Sequence, residues 1–182
     1  LADQVKSIKQ AVAEGKLNLE ALLADGGRAG VVEQAAVKQG LDAQVLSFLV
    51  VNSTRPSIEA ARDQLLKGVK SNEWRECSCP VCNSPPVLSL LEGDPARRRS
   101  LCSYCGHQWR VDRVSCSCCG NSDPDFLQSF FDEDEKTCRI ELCDKCHRYV
   151  KTIECGNLEE SDPALEDLAT LHLDVVAIER GY

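Results

Sequence analysis

Four Cys-x-x-Cys pairs carry the chemistry of this chain: Cys79/Cys82, Cys102/Cys105, Cys116/Cys119 and Cys143/Cys146. Two thiolates on one tight turn can grip one face of a metal ion, and a second such turn completes a tetrahedral site. Four turns make two sites. Nineteen residues separate Cys82 from Cys102, the spacing at which a hairpin returns the second turn to the first. Twenty-three separate Cys119 from Cys143, a slightly long spacer that still suits a hairpin. The spacing therefore pairs the turns sequentially, Cys79/Cys82 with Cys102/Cys105 and Cys116/Cys119 with Cys143/Cys146. The competing arrangement is an interleaved cross-brace that joins Cys79/Cys82 to Cys116/Cys119. Closed four-thiolate zinc sites are structural and contribute on the order of 10–16 kcal/mol to folding. Iron in the same cages would be redox active, and tetrahedral sulfur alone does not separate the two metals. The expected cofactors are two mononuclear ions, zinc or iron.

A turn that aims backbone N–H groups at sulfur needs a residue of free backbone after its second cysteine. Gly106 and Gly120 supply one. Asn83 tolerates the same left-handed backbone, and His147 suits it less well. Cys77, Cys118, Cys138 and Cys155 remain over. Each reads as a small buried hydrophobe, while Cys77 and Cys118 also offer alternative sulfurs one register away. His107 and His147 sit beside turns and read as surface or supporting residues rather than ligands. His172 reads as a helix residue. Trp109 and Tyr149 are expected to pack over the cysteine modules. The sequence shows no Ser/His/Asp set, phosphate-cradling glycine loop or convincing carboxylate pair, so neither catalytic nor cofactor-binding residues are assigned.

The elements that must position these turns lie on both sides of them. All twelve cysteines fall between Cys77 and Cys155, which divides the chain. Helical spacing marks 3–14, a short helix capped by Asn18 and ending near Asp25-Gly26-Gly27, and Ala29 to Gln39. Asp42 caps a fourth helix carrying Val45, Leu46, Leu49 and Val50. Asn52 to Pro56 breaks the pattern, and a fifth helix runs from Ile58 to Lys70. Short alternating strands then replace helices: Val87–Leu91, Arg97–Leu101, Gln108–Val114, Phe126–Phe131, Thr137–Leu142 and Tyr149–Glu154. Turn signals separate them at Glu92 to Pro95, Gly120 to Pro124 and the acidic Asp132 to Glu135. Ser161 or Asp162 caps a final helix with Pro163 in its first turn and a broad apolar face expected to dock on the protein. The expected fold is α+β: a small helical module at 1–72, two tandem four-cysteine, zinc-ribbon modules at 73–114 and 115–156, and a C-terminal helix at 157–182.

The net charge of −8 argues against a nucleic-acid binder, since phosphate neutralisation needs a basic surface. The one basic run, Arg97-Arg98-Arg99, reads as a solvated strand edge. Regular Cys-x-x-Cys pairs read as metal sites rather than as a disulfide framework. No basic segment followed by an apolar one opens the chain, and no run of about eighteen apolar residues exists. A cytoplasmic protein without direct membrane insertion is expected.

The turn sequences also resemble a known family. Cys-Pro-Val-Cys-Asn-Ser-Pro-Pro-Val at 79–87, Cys-Ser-Tyr-Cys-Gly-His-Gln-Trp at 102–109, Cys-Ser-Cys-Cys-Gly-Asn at 116–121 and Cys-Asp-Lys-Cys-His-Arg-Tyr-Val-Lys at 143–151 are similar to those of the FdhE-type formate dehydrogenase accessory proteins. Asp167 to Leu171, Leu173-Asp174 and Gly181-Tyr182 resemble the family's tail, and Arg55-Pro56 with Trp74-Arg75 its linker. The resemblance implies a cytoplasmic maturation factor, not an enzyme, that contacts the catalytic subunit of a formate dehydrogenase. It also implies rubredoxin-like ribbons binding iron or zinc through the eight paired cysteines. Family members tend to carry a larger N-terminal helical region, and Asn83 and His147 stand where glycine is common. A homodimer is a second expected association. The alternatives are a rubredoxin-like iron redox carrier and a zinc-ribbon adaptor.

Overall fold

The computed structural model describes residues 1–24, 29–69, 73–93, 96–131, 137–155 and 162–182. The expected turns at Asp25 to Gly27 and Asp132 to Glu135, Asp94-Pro95 and the Ser161 cap lie outside the described residues. The chain forms two compact units, Leu1–Ala61 and Arg62–Tyr182.

The first unit is helical. Helices α1 (Ala2–Ala13), α2 (Leu19–Ala24) and α3 (Ala29–Gln39) precede α4 (Ala43–Leu66). Both expected caps form: Asn18 Oδ1 accepts from the Ala21 amide at 3.0 Å, and Asp42 Oδ1 from the Val45 amide at 3.0 Å. Ile8, Leu22, Val32, Ala36, Leu46 and Val50 meet in a small apolar core. The expected break at Asn52 to Pro56 does not occur, so the fourth and fifth helices are one. Polar side chains turn back onto helix carbonyls there: Asn52 Nδ2 donates to Phe48 O at 2.8 Å and Thr54 Oγ1 to Val50 O at 2.9 Å. Pro56 removes only its own amide bond, and the rest of the helix carries it through.

The second unit is organised by one six-stranded sheet in the order β3-β2-β1-β6-β5-β4. Its strands are β1 (Pro86–Glu92), β2 (Arg97–Cys102), β3 (Gln108–Arg110), β4 (Leu127–Phe131), β5 (Cys138–Cys143) and β6 (Arg148–Cys155). Each cysteine module contributes three antiparallel strands. The two halves join where β1 and β6 run parallel, Leu88 beside Lys151 through Glu92 beside Cys155. A three-stranded ribbon buries little by itself. Joined at their longest strands, the two share a core of Leu88, Leu90, Ile140, Leu142 and Ile153, in which Cys138 and Cys155 act as small hydrophobes. The β3 strand ends at Arg110, earlier than expected, because the chain then crosses the sheet.

The expected C-terminal helix is two, α5 (Pro163–Ala169) and α6 (Leu171–Glu179), parted at buried Thr170. Asp162 Oδ1 caps α5 through the Ala164 amide at 2.9 Å. Only part of the apolar surface docks. Leu173 and Ala177 enter the sheet core, whereas Leu165, Leu168, Leu171, Val175 and Ile178 stay exposed. Polar contacts also tie the pair to the sheet. Lys151, buried on β6, donates from Nζ to Asp174 Oδ2 and to the Asp167 carbonyl, both at 2.8 Å. Its ammonium also lies 2.6 Å from Asp167 Oδ1 as an ion pair. The Tyr149 hydroxyl donates to Asp174 Oδ1 at 3.0 Å.

The opposite face of the sheet mixes Ser89, Arg98, Ser100, Glu141 and Thr152 with buried Leu91, Trp109 and Val150, and is crossed by the segment between the modules. Arg98 is buried there rather than solvated. Its Nη1 donates to the carbonyls of Arg113 at 3.2 Å and Ser115 at 3.0 Å, its Nε to Ser89 Oγ at 3.2 Å, and its Nη2 to Glu141. One guanidinium thus ties both halves of the sheet to the connector.

Candidate metal centres

The structure brings together Cys79, Cys82, Cys102 and Cys105 in one group, and Cys116, Cys119, Cys143 and Cys146 in another. Within each, all four Sγ atoms lie within 4.8 Å of one another. This is the sequential pairing, and the cross-brace is not formed. The reason is local: in each module a hairpin carries the second turn back to the first, through β1–β2 and β4–β5.

All four turns share one backbone design. The residue after each second cysteine has positive φ: Asn83 at 61°, Gly106 at 65°, Gly120 at 73° and His147 at 49°. His147 adopts this conformation despite its side chain. Around the turns the amides of Asn83, Gly120 and His147 donate to the carbonyls of Cys79, Cys116 and Cys143, at 2.8 to 2.9 Å. The reversed chain leaves amides aimed at sulfur. Val81 N reaches Cys79 Sγ, Tyr104 N and Cys105 N reach Cys102 Sγ, and Cys118 N reaches Cys116 Sγ, each at 3.4 Å. Such donors favour thiolate.

The donor set fits a metal ion. Four sulfurs about 2.3 Å from a central ion in a tetrahedron are separated by about 3.8 Å. The first cage has separations of 3.5 Å for Cys79–Cys105, 3.4 Å for Cys82–Cys102 and 3.6 Å for Cys82–Cys105. The second has 3.7 Å for Cys116–Cys146 and 3.8 Å for Cys119–Cys143. Each cluster could hold one ion. Thiols packed this closely divide their protons unequally. Hydrogen bonding led by Cys102 pushes Cys79 up and Cys82 down, and hydrogen bonds led by Cys105 draw Cys102 to about 7. Cys116 is drawn to about 4, first by its hydrogen bond with Cys118.

The two cages differ in their surroundings. In the first, Cys79, Cys102 and Cys105 are 1%, 2% and 0% exposed, and Cys82 is half-buried. Trp109 is buried beside this module with Nε1 on the Glu76 carbonyl, and Trp74 Nε1 donates to the Ser78 carbonyl. In the second, Cys116 and Cys143 are buried, Cys146 is half-buried and Cys119 is exposed. A cavity of about 160 Å³ opens beside it, with Arg98, Cys116, Cys118, Cys143, Glu141 and Tyr149 among its walls. Cys77 Sγ donates to the Cys116 carbonyl at 3.8 Å and Cys118 Sγ to the Tyr149 carbonyl at 4.0 Å, so both spare thiols flank this cage. Neither His107 nor His147 joins a cage. The His147 ring lies tilted at 38° beside that of Tyr182, centroids 6.1 Å apart, and the Tyr182 hydroxyl donates to Asp144. That bond, with a second from Gln128, holds the Asp144 carboxyl below its usual range. Arg180 lies 3.8 Å over Phe130. The end of the chain is thereby clamped to the fourth turn, a contact with no local signal beyond the aromatic residue.

Two family models match, the FdhE central domain over residues 78–113 and the FdhE C-terminal domain over 114–182. Among curated relatives, an FdhE homolog of Aquifex aeolicus is 30% identical over 149 residues, covering 80% of this chain and 52% of that protein. An FdhE homolog of Shewanella oneidensis is 39% identical over 106 residues, covering 57% of this chain and 35% of that one. Protein FdhE of Escherichia coli is 37% identical over 110 residues, 57% of this chain and 34% of its own. The chain thus spans about half or less of the length of these relatives. The crystal structure of the FdhE protein from Pseudomonas aeruginosa shares the fold, with a TM-score of 0.58, 24% identity, and coverage of 90% of this chain and 65% of that one. Two family domains lying end to end over both cages, and relatives that match across them, show that the chain belongs to the FdhE family.

Proposed function

We propose that this protein is an assembly factor that binds the catalytic subunit of a formate dehydrogenase and supports its maturation, and is not itself an enzyme. The observation that carries the reading is the pair of four-cysteine cages built into one sheet in a member of the FdhE family. In this reading Cys79, Cys82, Cys102 and Cys105 hold one zinc or iron ion, and Cys116, Cys119, Cys143 and Cys146 hold a second. It keeps the division into a helical module at 1–72, ribbons at 73–114 and 115–156, and a C-terminal segment at 157–182. The protein acts in the cytoplasm. Its net charge of −8 disfavours nucleic acid as a partner, and among the described residues no helix is long and apolar enough to cross a membrane. The test is a pull-down of the catalytic subunit by the metal-loaded chain, with formate dehydrogenase activity measured after deletion of the gene. Capture of the subunit and loss of activity are expected. No capture, with activity unchanged, refutes the reading.

Exposure of Cys119 favours a second reading, in which iron in the second cage exchanges electrons with a partner. A colourless protein that holds only zinc after anaerobic purification removes it.

A further inference from the structure

The two cages look alike in ligand number, but the second has a fifth thiol in its own turn. Cys116-Ser117-Cys118-Cys119 places a sulfur both two and three residues after Cys116. No such residue borders the first cage: Cys77 and Cys118 lie beside the second, and Cys138 and Cys155 are in the sheet core. The second cage is also the open one. Each cage has one half-buried ligand, Cys82 and Cys146, but only the second has an exposed one, Cys119, and the cavity beside it has Cys116, Cys118 and Cys143 in its walls. Cys119 is thus the ligand that water or a competing donor meets first, while Cys118 waits on the sheltered side of the same turn.

We propose that the second cage is an exchangeable site for a thiophilic divalent metal ion, in which Cys118 can replace Cys119 as the fourth ligand, while the first cage holds its ion permanently. The inference rests on the reading that both cages bind metal. In the exchange the metal–sulfur bond to Cys119 breaks and one to Cys118 forms. The proton leaving the Cys118 thiol is taken up by the freed Cys119 thiolate, so the charge of the cage is unchanged and no oxidant or reductant is required. Cys116, Cys143 and Cys146 would hold a bound ion throughout, while the fourth position would be free to take an incoming donor.

The experiment uses the full chain loaded anaerobically with zinc. Elemental analysis of the wild type, C119S, C118S/C119S and C82S is expected to give two, two, one and one ions per chain. A chromophoric chelator added to the wild type is expected to remove one ion at least about tenfold faster than the other, since loss of a thiolate-bound metal follows access. Alkylation during the fast phase should label Cys116, Cys118, Cys119, Cys143 and Cys146 before Cys79, Cys82, Cys102 and Cys105. A C119S protein with one ion, or two ions leaving at one rate, overturns the proposal. Should C82S fail to fold, the wild-type kinetics and labelling order decide the matter without it. A wild type that binds no zinc or iron refutes the metal reading itself, which is a different result from two ions of equal lability.

Discussion

Replacing Lys151 by Met tests what holds the C-terminal helices to the sheet. Met keeps most of the apolar stem and removes only the ammonium. The Lys151 side chain is 2% exposed, and its partners Asp167 and Asp174 are 32% and 23% exposed. Removing one member of a fully buried pair costs about 3–5 kcal/mol, because the other charge is left without a partner. Here both carboxylates reach water, and Asp174 keeps the Tyr149 hydroxyl at 3.0 Å, so the cost falls to about 2–3 kcal/mol. In a unit of this size that lowers Tm by about 8–12 °C. Guanidinium unfolding of the metal-loaded protein, followed by far-UV circular dichroism, gives the loss in stability. Hydrogen exchange should show α5 and α6 losing protection first. Asp174→Asn, combined with Lys151→Met in a double-mutant cycle, should show coupling of about 1–2 kcal/mol. A loss below about 0.5 kcal/mol, or additive single effects, would mean that desolvating the ammonium cancels its attraction and that apolar docking of Leu173 and Ala177 alone seats the helices.

Three further perturbations bear on other parts of the structure. Pro56→Ala should stabilise the helical unit by about 1–3 kcal/mol, since an interior proline forfeits one amide bond in α4; a drop in stability on thermal unfolding would show that the helix needs a bend there. Gly120→Ala should weaken the second cage by about 1–2 kcal/mol, because φ is +73° and the added Cβ would sit 3.3 Å from Cys77 Sγ; a chelator titration that matches the wild type would refute this. Burial, followed by the hydrogen bond to Asp174, pushes Tyr149 up to about 12. A raised folded value means that its contribution is whole below the unfolded value of about 10 and is lost as pH rises from there towards 12. Tyr149→Phe should therefore cost about 1 kcal/mol at neutral pH, with the gap to the wild type closing over that alkaline range in denaturant titrations.

Local chemistry decided much of this protein before any tertiary contact. A Cys-x-x-Cys turn needs only its own residues and a permissive one after them, so the four turns and their pairing across hairpins could be read from spacing. The caps at Asn18, Asp42 and Asp162 are likewise side chains bonding to amides two or three residues on. Period-two alternation placed all six strands to within a few residues, apart from the short β3. Contacts between distant residues decided the rest. Nothing near Leu88 states that it will lie beside Lys151, yet that parallel pairing turns two ribbons into one sheet. Arg98 reads as a surface charge until the connector carbonyls and Glu141 surround it. Pro56 reads as a break until the rest of α4 carries the helix through it. The single C-terminal helix becomes two because buried Thr170 and the Lys151 pairs set where each half must lie. Whether a cage is sealed or open follows from what else packs around its turns. The same two-residue spacing therefore produces one site with no exposed ligand and one with an exposed ligand and a spare thiol.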